Sequence, residues 1–377
     1  MTESTNNQRH ILFVLEHFAP MQGGLETLFL ALCKKLTLRG QRVTVLTTLT
    51  DRTSPRQEKD GLLTIRRYRF RNRYAFTLFA LGPILRHGRS CDLIQTTSYN
   101  AGLPAFLGGM LLRKPVVITF HEVWGDLWCK LPFLTGIQRT GFFLFEKLLT
   151  KLPFTRFVAV SESTKAQLIK AGVLSRKITM IYNGLDYQEI QELTTNIPPD
   201  SSDTGTFTFT YFGRLGVSKG LELLLPAFAQ LLEQHQDCRL QLNIPSAPRH
   251  IRQWIDQSIS KLGISGSVHI LQPTTFSGLL SRIGQSDAVV IPSWTEGFCF
   301  AAAETQAVGT PIVSSGRASL AEVVSGKYVE MTDQTTEALV KAMTQARLGK
   351  WSERPARRFE LRDTIDGYLS VYQEVSR

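Results

Sequence analysis

Short apolar runs that end in turn residues and are followed by segments of helical period recur along the whole chain, and that alternation admits essentially one fold class. "ILFVLE" at 11–16 reads as a strand, "MQGGLET" as a loop, the segment to about Arg39 as a helix stopped by Gly40, and "RVTVLTT" as the next strand. Strand, glycine loop, helix, strand is the repeating unit of a parallel α/β sheet. Further strands are expected at 92–96, 116–120 and 157–160, with helices at 102–112 and 137–151 between them. "SESTKAQLIKAG" carries a serine cap and a glycine stop, and "ITMIYNGLD" closes the series with a short strand and an Asn-Gly turn. Residues 191–206, "QELTTNIPPDSSDTGT", form the best linker. The alternation then restarts with strand "FTFTYFG", helix 219–235, strand "RLQLNI", helix 248–262 and strand "VHIL". Helix 275–284, strand "AVVIPS", helix 299–308 and strand "PIVSS" follow. The expectation is α/β, two doubly wound domains in tandem, as a chain of 377 residues suits at ~150 residues per domain. "DTIDGYLSVYQEVSR" reads as a closing amphipathic helix whose packing partner its pattern does not reveal.

Composition excludes several classes. "MTESTNNQRH" is a polar tail without the basic start and apolar core of a signal peptide. No unbroken apolar run approaches the ~20 residues needed to span a bilayer. The five cysteines are scattered and form no CxxC, so they read as small buried hydrophobes in a reducing cytoplasm rather than a disulfide framework or zinc site. Charge is uneven: residues 1–190 hold 26 Lys and Arg against 13 Asp and Glu, the remainder 17 against 19. An anionic partner for the first half follows. Its densest cluster is "RRYRFRNRY", where Arg66, Arg67, Arg69, Arg71 and Arg73 alternate with Tyr68, Phe70 and Tyr74. Anionic membrane, nucleic acid and a merely solvated strand all fit that pattern.

The segments that could do chemistry sit just after strands. In "EGFCFAAAETQAVGTPIV", Glu296 and Glu304 lie eight residues apart, roughly 80° on a helical wheel, so one continuous helix would not bring them onto a tight face. A helix starting near Phe298 instead puts Glu296 in the crevice at a strand's carboxyl end, where open α/β sheets bind ligands, and Glu304 a turn or more inside. Amides at such a helix start favour phosphate, and neighbouring carboxylates suit sugar or ribose hydroxyls. "FGRLGVSKG" places Gly213, Arg214 and Lys219 between a strand and a helix, where two cations could grip a diphosphate. The order is not that of a Walker A loop. Gly23 and Gly24 in "QGGLE" would let backbone approach a ligand. His121 ends the strand in "VVITFHEVWGD" and could donate to a ligand oxygen or move a proton. No D-x-D occurs, so the usual carboxylate pair for a divalent metal on a nucleotide is missing and a metal-free reaction is expected.

Together these segments resemble the retaining family 4 glycosyltransferases, from the Gly-Gly loop through "FGRLGVSKG" to "EGFCFAAAETQAVGTPIV" behind "SDAVVIPSWTEGF", with "FVAVSEST" and "IYNGLD" as supporting matches. The resemblance implies the GT-B fold: two Rossmann-like doubly wound domains facing a central cleft. It assigns 1–188 to an acceptor-binding domain and 207–355 to a sugar-nucleotide-binding domain, with the helix at 360–377 returning to the first. It implies that Arg214 and Lys219 hold the diphosphate and stabilise the leaving group, and that Glu304 binds the ribose. Glu296 contacts a donor-sugar hydroxyl, while the amides of Gly297, Phe298 and Cys299 take the phosphate beside Gly213. By the same resemblance His121 contacts the sugar, Gly23 and Gly24 leave room for the diphosphate, and the donor's anomeric configuration is kept.

The function this implies is metal-independent transfer of a hexose from a nucleoside-diphosphate sugar to a glycan or lipid-linked acceptor. It would serve polysaccharide or glycolipid synthesis in the cytoplasm, at the inner membrane face, with no cofactor and no nucleic-acid partner. The different-class alternative is a catalytically silent sugar-nucleotide-binding scaffold. Three segments depart from the family pattern: "PSAPRH" in place of a Gly-rich turn after "RLQLNI", Thr305 after Glu304 in place of Ala, and "YVEM" after "LAEVVSGK".

Overall fold

The computed structural model describes residues 8–376 apart from 22, 52, 132–133, 196–204, 214 and 245–248. It divides into two compact units, residues 1–130, 135–184 and 361–377 in one and residues 131–134 and 185–360 in the other. The division expected after residue 188 thus falls after Gly184.

The first unit is built on strands β1 (His10–Val14), β2 (Arg42–Thr48), β3 (Gln57–Asp60), β4 (Leu63–Tyr68), β5 (Leu93–Thr97), β6 (Val116–Phe120), β7 (Arg156–Ala159) and β8 (Ile178–Met180). Their order is β3-β4-β2-β1-β5-β6-β7-β8, parallel except for the β3–β4 hairpin. Helices α1 (Gly24–Leu38), α2 (Arg73–Phe79), α3 (Leu81–Gly88), α4 (Gly102–Leu112), α5 (Gly136–Lys151) and α6 (Glu162–Lys170) cover it. Strand alternation sorts the two faces. Leu12, Val14, Ile94, Val116, Ile118 and Phe120 join one core with residues of α2 to α6. Phe13, between two of those positions, instead meets Phe29 of α1 edge-on at 6.2 Å. Ser161 caps α6 as the sequence predicts, accepting from the Thr164 amide at 3.0 Å.

The second unit holds β9 (Phe207–Phe212), β10 (Cys238–Asn243), β11 (Val268–Leu271), β12 (Ala288–Ile291), β13 (Ile312–Ser314), β14 (Gly326–Glu330) and β15 (Ser352–Arg354). Their order is β11-β10-β9-β12-β13-β14-β15, parallel until the antiparallel β15. Around it lie α7 (Tyr187–Thr194), α8 (Leu221–Gln234), α9 (Arg249–Lys261), α10 (Phe276–Gly284), α11 (Phe300–Val308), α12 (Leu320–Val323) and α13 (Thr336–Arg347). The expected linker at 191–206 is shorter than read, because α7 continues to Thr194 and Phe207 already begins β9; 196–204 lie outside the described residues.

The last helix, α14 (Leu361–Val375), belongs to the first unit. Its Tyr372 hydroxyl donates to Gln95 Oε1 at 3.0 Å, and its Tyr368 hydroxyl lies 2.8 Å from Thr119 Oγ1. Those two bonds explain polar side chains in the middle of otherwise apolar strands. Among the described residues no helix is long and apolar enough to cross a membrane.

Candidate active site

In each sheet the strand order reverses beside its first strand, between β1 and β5 in the first unit and between β9 and β12 in the second. The crevice outside the carboxyl ends of strands at such a reversal is where open α/β sheets take ligands. The second unit puts its charged residues there. Lys219 lies in the loop leaving β9, and Glu296 in the loop leaving β12.

These two residues meet. Lys219 Nζ donates to both Glu296 oxygens, at 2.8 and 2.9 Å, and Ser293 Oγ donates to Oε1 at 2.7 Å. The carboxylate is buried, with 8% of its side chain exposed, against 26% for Lys219. An ionised acid is tolerated at that depth because a cation and a hydroxyl occupy its lone pairs. The loop is held from several sides. Pro292 O accepts from Gln334 Nε2 at 2.7 Å, Ser293 O from Ser315 Oγ at 2.7 Å, and Glu296 O from Ser319 Oγ at 3.0 Å. Opposite, Gly220 has φ +72°, and a Cβ there would stand 2.1 Å from Pro292 O. Only glycine lets the Lys219 loop pass so close to the Glu296 loop. Gly213, at φ +127°, makes the turn out of β9 for the same conformational reason. Arg214 lies outside the described residues.

The helix expected from 299 starts one residue later, at Phe300. Cys299, its N-cap, is in the left-handed region at φ +71° and gives no side-chain cap, so the positive end of α11 is not quenched by its own sequence. Burial pushes the Cys299 thiol well above the ordinary range, with Glu296 adding to it, so it is a packed hydrophobe rather than a thiolate. Phe298 is buried against Phe300 and Phe359, with centroids 5.2 and 5.1 Å away. Its side chain belongs to the core. Burial pushes the Glu304 carboxyl up to about 8. Thr305, where the family pattern has Ala, turns inward and donates to Ala301 O at 2.6 Å, leaving Glu304 undisturbed on the next helical position. "YVEM" forms the end of β14 and the residue after it, and of "PSAPRH" residues 245–248 lie outside the described residues.

In the first unit His121 follows β6 and is buried edge-on against Phe29 at 5.7 Å. Neither ring nitrogen has a partner, and burial pushes its pKa down to about 3. The imidazole is neutral at ordinary pH, able to donate one hydrogen bond and accept another but a weak base. Of the two readings the sequence allows, this favours the hydrogen bond over proton transfer. Gly23 caps α1 in extended backbone and Gly24 opens that helix, so neither needs glycine for its conformation.

The arginine cluster is not one exposed patch. Arg67 is buried, donating to Pro55 O, Ala19 O and Glu58 at 3.0–3.1 Å, because β4 alternates and every second side chain turns inward. Arg66 bonds Gln57 across the hairpin at 2.8 Å. Arg69, Arg71 and Arg73 remain exposed where the chain leaves β4 for α2. Sequence reasoning missed Gly220, Ser293, Ser315, Ser319 and Gln334. Four of these were legible only as small or polar residues just past strand ends, and Gln334 carried no signal.

Two Rossmann-like sheets, with a lysine–carboxylate pair at the strand-order reversal of the second, define a glycosyltransferase of the GT-B class. A family model described as Glycosyltransferase Family 4 matches residues 22–189, and one described as Glycosyl transferases group 1 matches residues 206–347. The chain belongs to the family 4 glycosyltransferases. It is 28% identical over 339 residues to a D-inositol 3-phosphate glycosyltransferase of Corynebacterium urealyticum, covering 80% of this chain and 76% of that one. Relatives of the same description from Rhodococcus erythropolis and Corynebacterium efficiens align over 42% of their own length. The fold is similar to Anabaena HepE in complex with UDP-glucose, at 16% identity and TM-score 0.68 over 97% of this chain and all of that one. It is also similar to sucrose-phosphate synthase of Thermosynechococcus elongatus, at 18% identity and TM-score 0.72 over 98% and 96%.

Proposed function

We propose that this protein transfers a hexose from a nucleoside-diphosphate sugar to a hydroxyl of a glycan or lipid-linked acceptor, with retention at the anomeric carbon and without a divalent metal. In this reading the second unit holds the donor and the first the acceptor, in polysaccharide or glycolipid synthesis at the cytoplasmic face of a membrane. The observation that carries it is the Lys219–Glu296 pair at the end of β9 and β12, beside the uncapped start of α11. The pair keeps a cation poised where a diphosphate would meet helix amides, and its carboxylate is ready to accept from a sugar hydroxyl.

The chemistry asked of these residues is modest. The bond from the anomeric carbon to the diphosphate oxygen breaks, the acceptor oxygen bonds to that carbon on the same face, and the acceptor proton leaves with the phosphate. Lys219 and Arg214 offset the charge that grows on the departing diphosphate, a contact of the kind worth roughly 3 kcal/mol in the transition state. Glu304 accepts from ribose hydroxyls, Gly213 and the amides of Gly297, Phe298 and Cys299 face the phosphates, and Gly23–Gly24 leave the diphosphate room. His121, neutral, bonds a substrate hydroxyl. Among the described residues no cluster of His, Cys, Asp and Glu is placed to hold a metal ion. That HepE is described with UDP-glucose supports a sugar-nucleotide donor, while the inositol phosphate in the relative's description is neither a glycan nor lipid-linked.

The test is thermal stability with UDP, GDP and ADP in turn, each with EDTA. One nucleotide should raise the midpoint, by about 2.7 kcal/mol of stabilisation at a hundredfold excess over Kd. Lys219→Ala should cut that stabilisation to about 0.4–1.4 kcal/mol, as a ten- to hundredfold weaker Kd requires. If a midpoint rises only when Mg²⁺ or Mn²⁺ is added, metal independence is wrong; if no nucleotide acts, the donor site is wrong. The anomeric configuration of the product, read by NMR, decides retention.

A further inference from the structure

We propose that the outer surface of α2, α4 and α5 is where this protein inserts into an anionic bilayer. The proposal deepens the membrane part of the reading above and rests on it. The surface shares only Arg71 and Arg73 with the arginine cluster singled out in the sequence, of whose five arginines the β3–β4 hairpin engages Arg66 and Arg67.

Eight of the sixteen exposed large hydrophobic side chains among the described residues lie on these three helices, which make up about a tenth of the chain. Scattered surface leucines need no explanation, but a concentration of this kind does. Leu78 and Phe79 on α2 are 72% and 67% exposed, and Ile137 on α5 is 89% exposed. Met110, Leu111 and Leu144 are each more than half exposed. The inner faces of the same helices, through Phe76, Ala105 and Leu149, pack on one side of the first sheet. The exposed residues therefore point away from that sheet on a common layer.

Charge selects the occupant. Helices α2, α3, α4 and α5 carry one acid, Glu146, and it is buried, accepting from the Trp124 and Gly125 amides at 3.0 and 2.7 Å; the exposed Asp126, in the turn before α5, pairs with Lys170 at 3.6 Å. Arg71, Arg73, Arg86, Arg113, Lys147 and Lys151 are exposed on or beside these helices. The Lys147 ammonium lies over the Phe143 ring, 6.0 Å from its centroid. Apolar side chains with cations well in excess of acids around them match acyl chains under anionic headgroups, where each cation contributes about fivefold to binding.

The experiment is sedimentation of the full chain with phosphatidylglycerol–phosphatidylcholine vesicles and with pure phosphatidylcholine vesicles, at low and high salt. The expected result is binding to the anionic vesicles that weakens with salt. The double variant F79E/L111E should lower it about tenfold or more. Leu38→Glu, an equally exposed leucine on α1 across the sheet, should leave it unchanged. A nucleotide-dependent thermal shift retained by F79E/L111E shows that the variant is folded, and failure of that shift in the parent protein strikes the donor reading instead. No binding at low salt overturns the proposal. So does binding that F79E/L111E leaves intact, since charge alone then accounts for it. A parent protein that is dimeric in solution, made monomeric by F79E/L111E without vesicle binding, also overturns it and assigns the surface to a second copy.

Discussion

Replacing Lys219 separates its pairing with Glu296 from the role proposed for it toward a diphosphate. Lys219→Met leaves the Glu296 carboxylate buried, with Ser293 Oγ as its remaining side-chain donor among the described residues. Breaking a fully buried ion pair from one side costs about 3–5 kcal/mol, and the partial exposure of Lys219 and the remaining serine bond reduce that to about 2–3. Glu296→Gln alone should cost less, about 1 kcal/mol, because Lys219 can turn its ammonium to water. In the double variant K219M/E296Q no charge is stranded, and at least half of the Lys219→Met loss should return. Urea unfolding of the four proteins closes the cycle. Nucleotide affinity should behave differently. A charge-assisted bond to phosphate is worth about 1.5–3 kcal/mol, so Lys219→Met should weaken nucleoside-diphosphate binding roughly ten- to hundredfold by calorimetry. The second substitution restores no cation, so K219M/E296Q should stay weak. If the double variant binds like the parent, Lys219 is only the counterion of Glu296 and its role toward the diphosphate is refuted.

Three further outcomes follow from particular contacts. Because the Glu304 pKa is raised to about 8 from an ordinary 4.5, the native state holds a proton that the unfolded state has released between those values. Its contribution to stability is therefore complete below about pH 4.5 and lost as pH rises through 8; Glu304→Gln should flatten that decline in urea titrations at pH 5.5 and 8.5, and an unchanged slope would sink the assignment. Gly220→Ala must relieve a 2.1 Å approach to Pro292 O in left-handed backbone, so an unfolding loss of about 2–4 kcal/mol is expected, with nucleotide binding impaired even where the fold survives. Tyr372→Phe strands the buried Gln95 Oε1 and should cost about 1–3 kcal/mol, while adding Gln95→Leu should return part of it.

How much of this was legible depended on whether a residue's reason for being there is local. The strands β1 and β7 announce themselves because burial on both faces leaves short apolar runs, and β5 and β6 do so despite Gln95 and the threonines that interrupt them. The hairpin strand β3, "QEKD", is exposed at every position and shows no period at all. The arginine cluster reads as one continuous feature, yet Asn72 ends it by capping α2 through the Ala75 amide, and β4 buries Arg67. Gln95 and Thr119 look like flaws in good strands until α14, more than 240 residues later, supplies their partners. At the site, Lys219 and Glu296 could each be picked out as charge after a strand. Their pairing could not, because it depends on β9 and β12 lying side by side in register, Ala288 against Phe209 and Val289 against Thr210.

That dependence is also why the site sits where it does. A parallel sheet wound in one direction covers each strand end with the connection to the next, and only where the order reverses do two loops part. β9 lies at the reversal of its sheet, flanked by β10 on one side and β12 on the other, so the loops after β9 and β12 leave in opposite senses and expose the strand ends between them. A lysine from one loop and a glutamate from the other can then face a common space. The first sheet reverses at β1 and β5 and does the same with different residues. Glu16 follows β1, Asn100 follows β5, and Asn100 Nδ2 donates to the Glu16 carboxylate at 2.7 Å. In both sheets the acid is kept by a partner from the neighbouring strand end, lysine in one and asparagine in the other. Lys219 bonds both oxygens of its acid, whereas Glu16 has the amide on one oxygen and Arg73 at 3.9 Å from the other, so one topology yields two crevices of different chemistry.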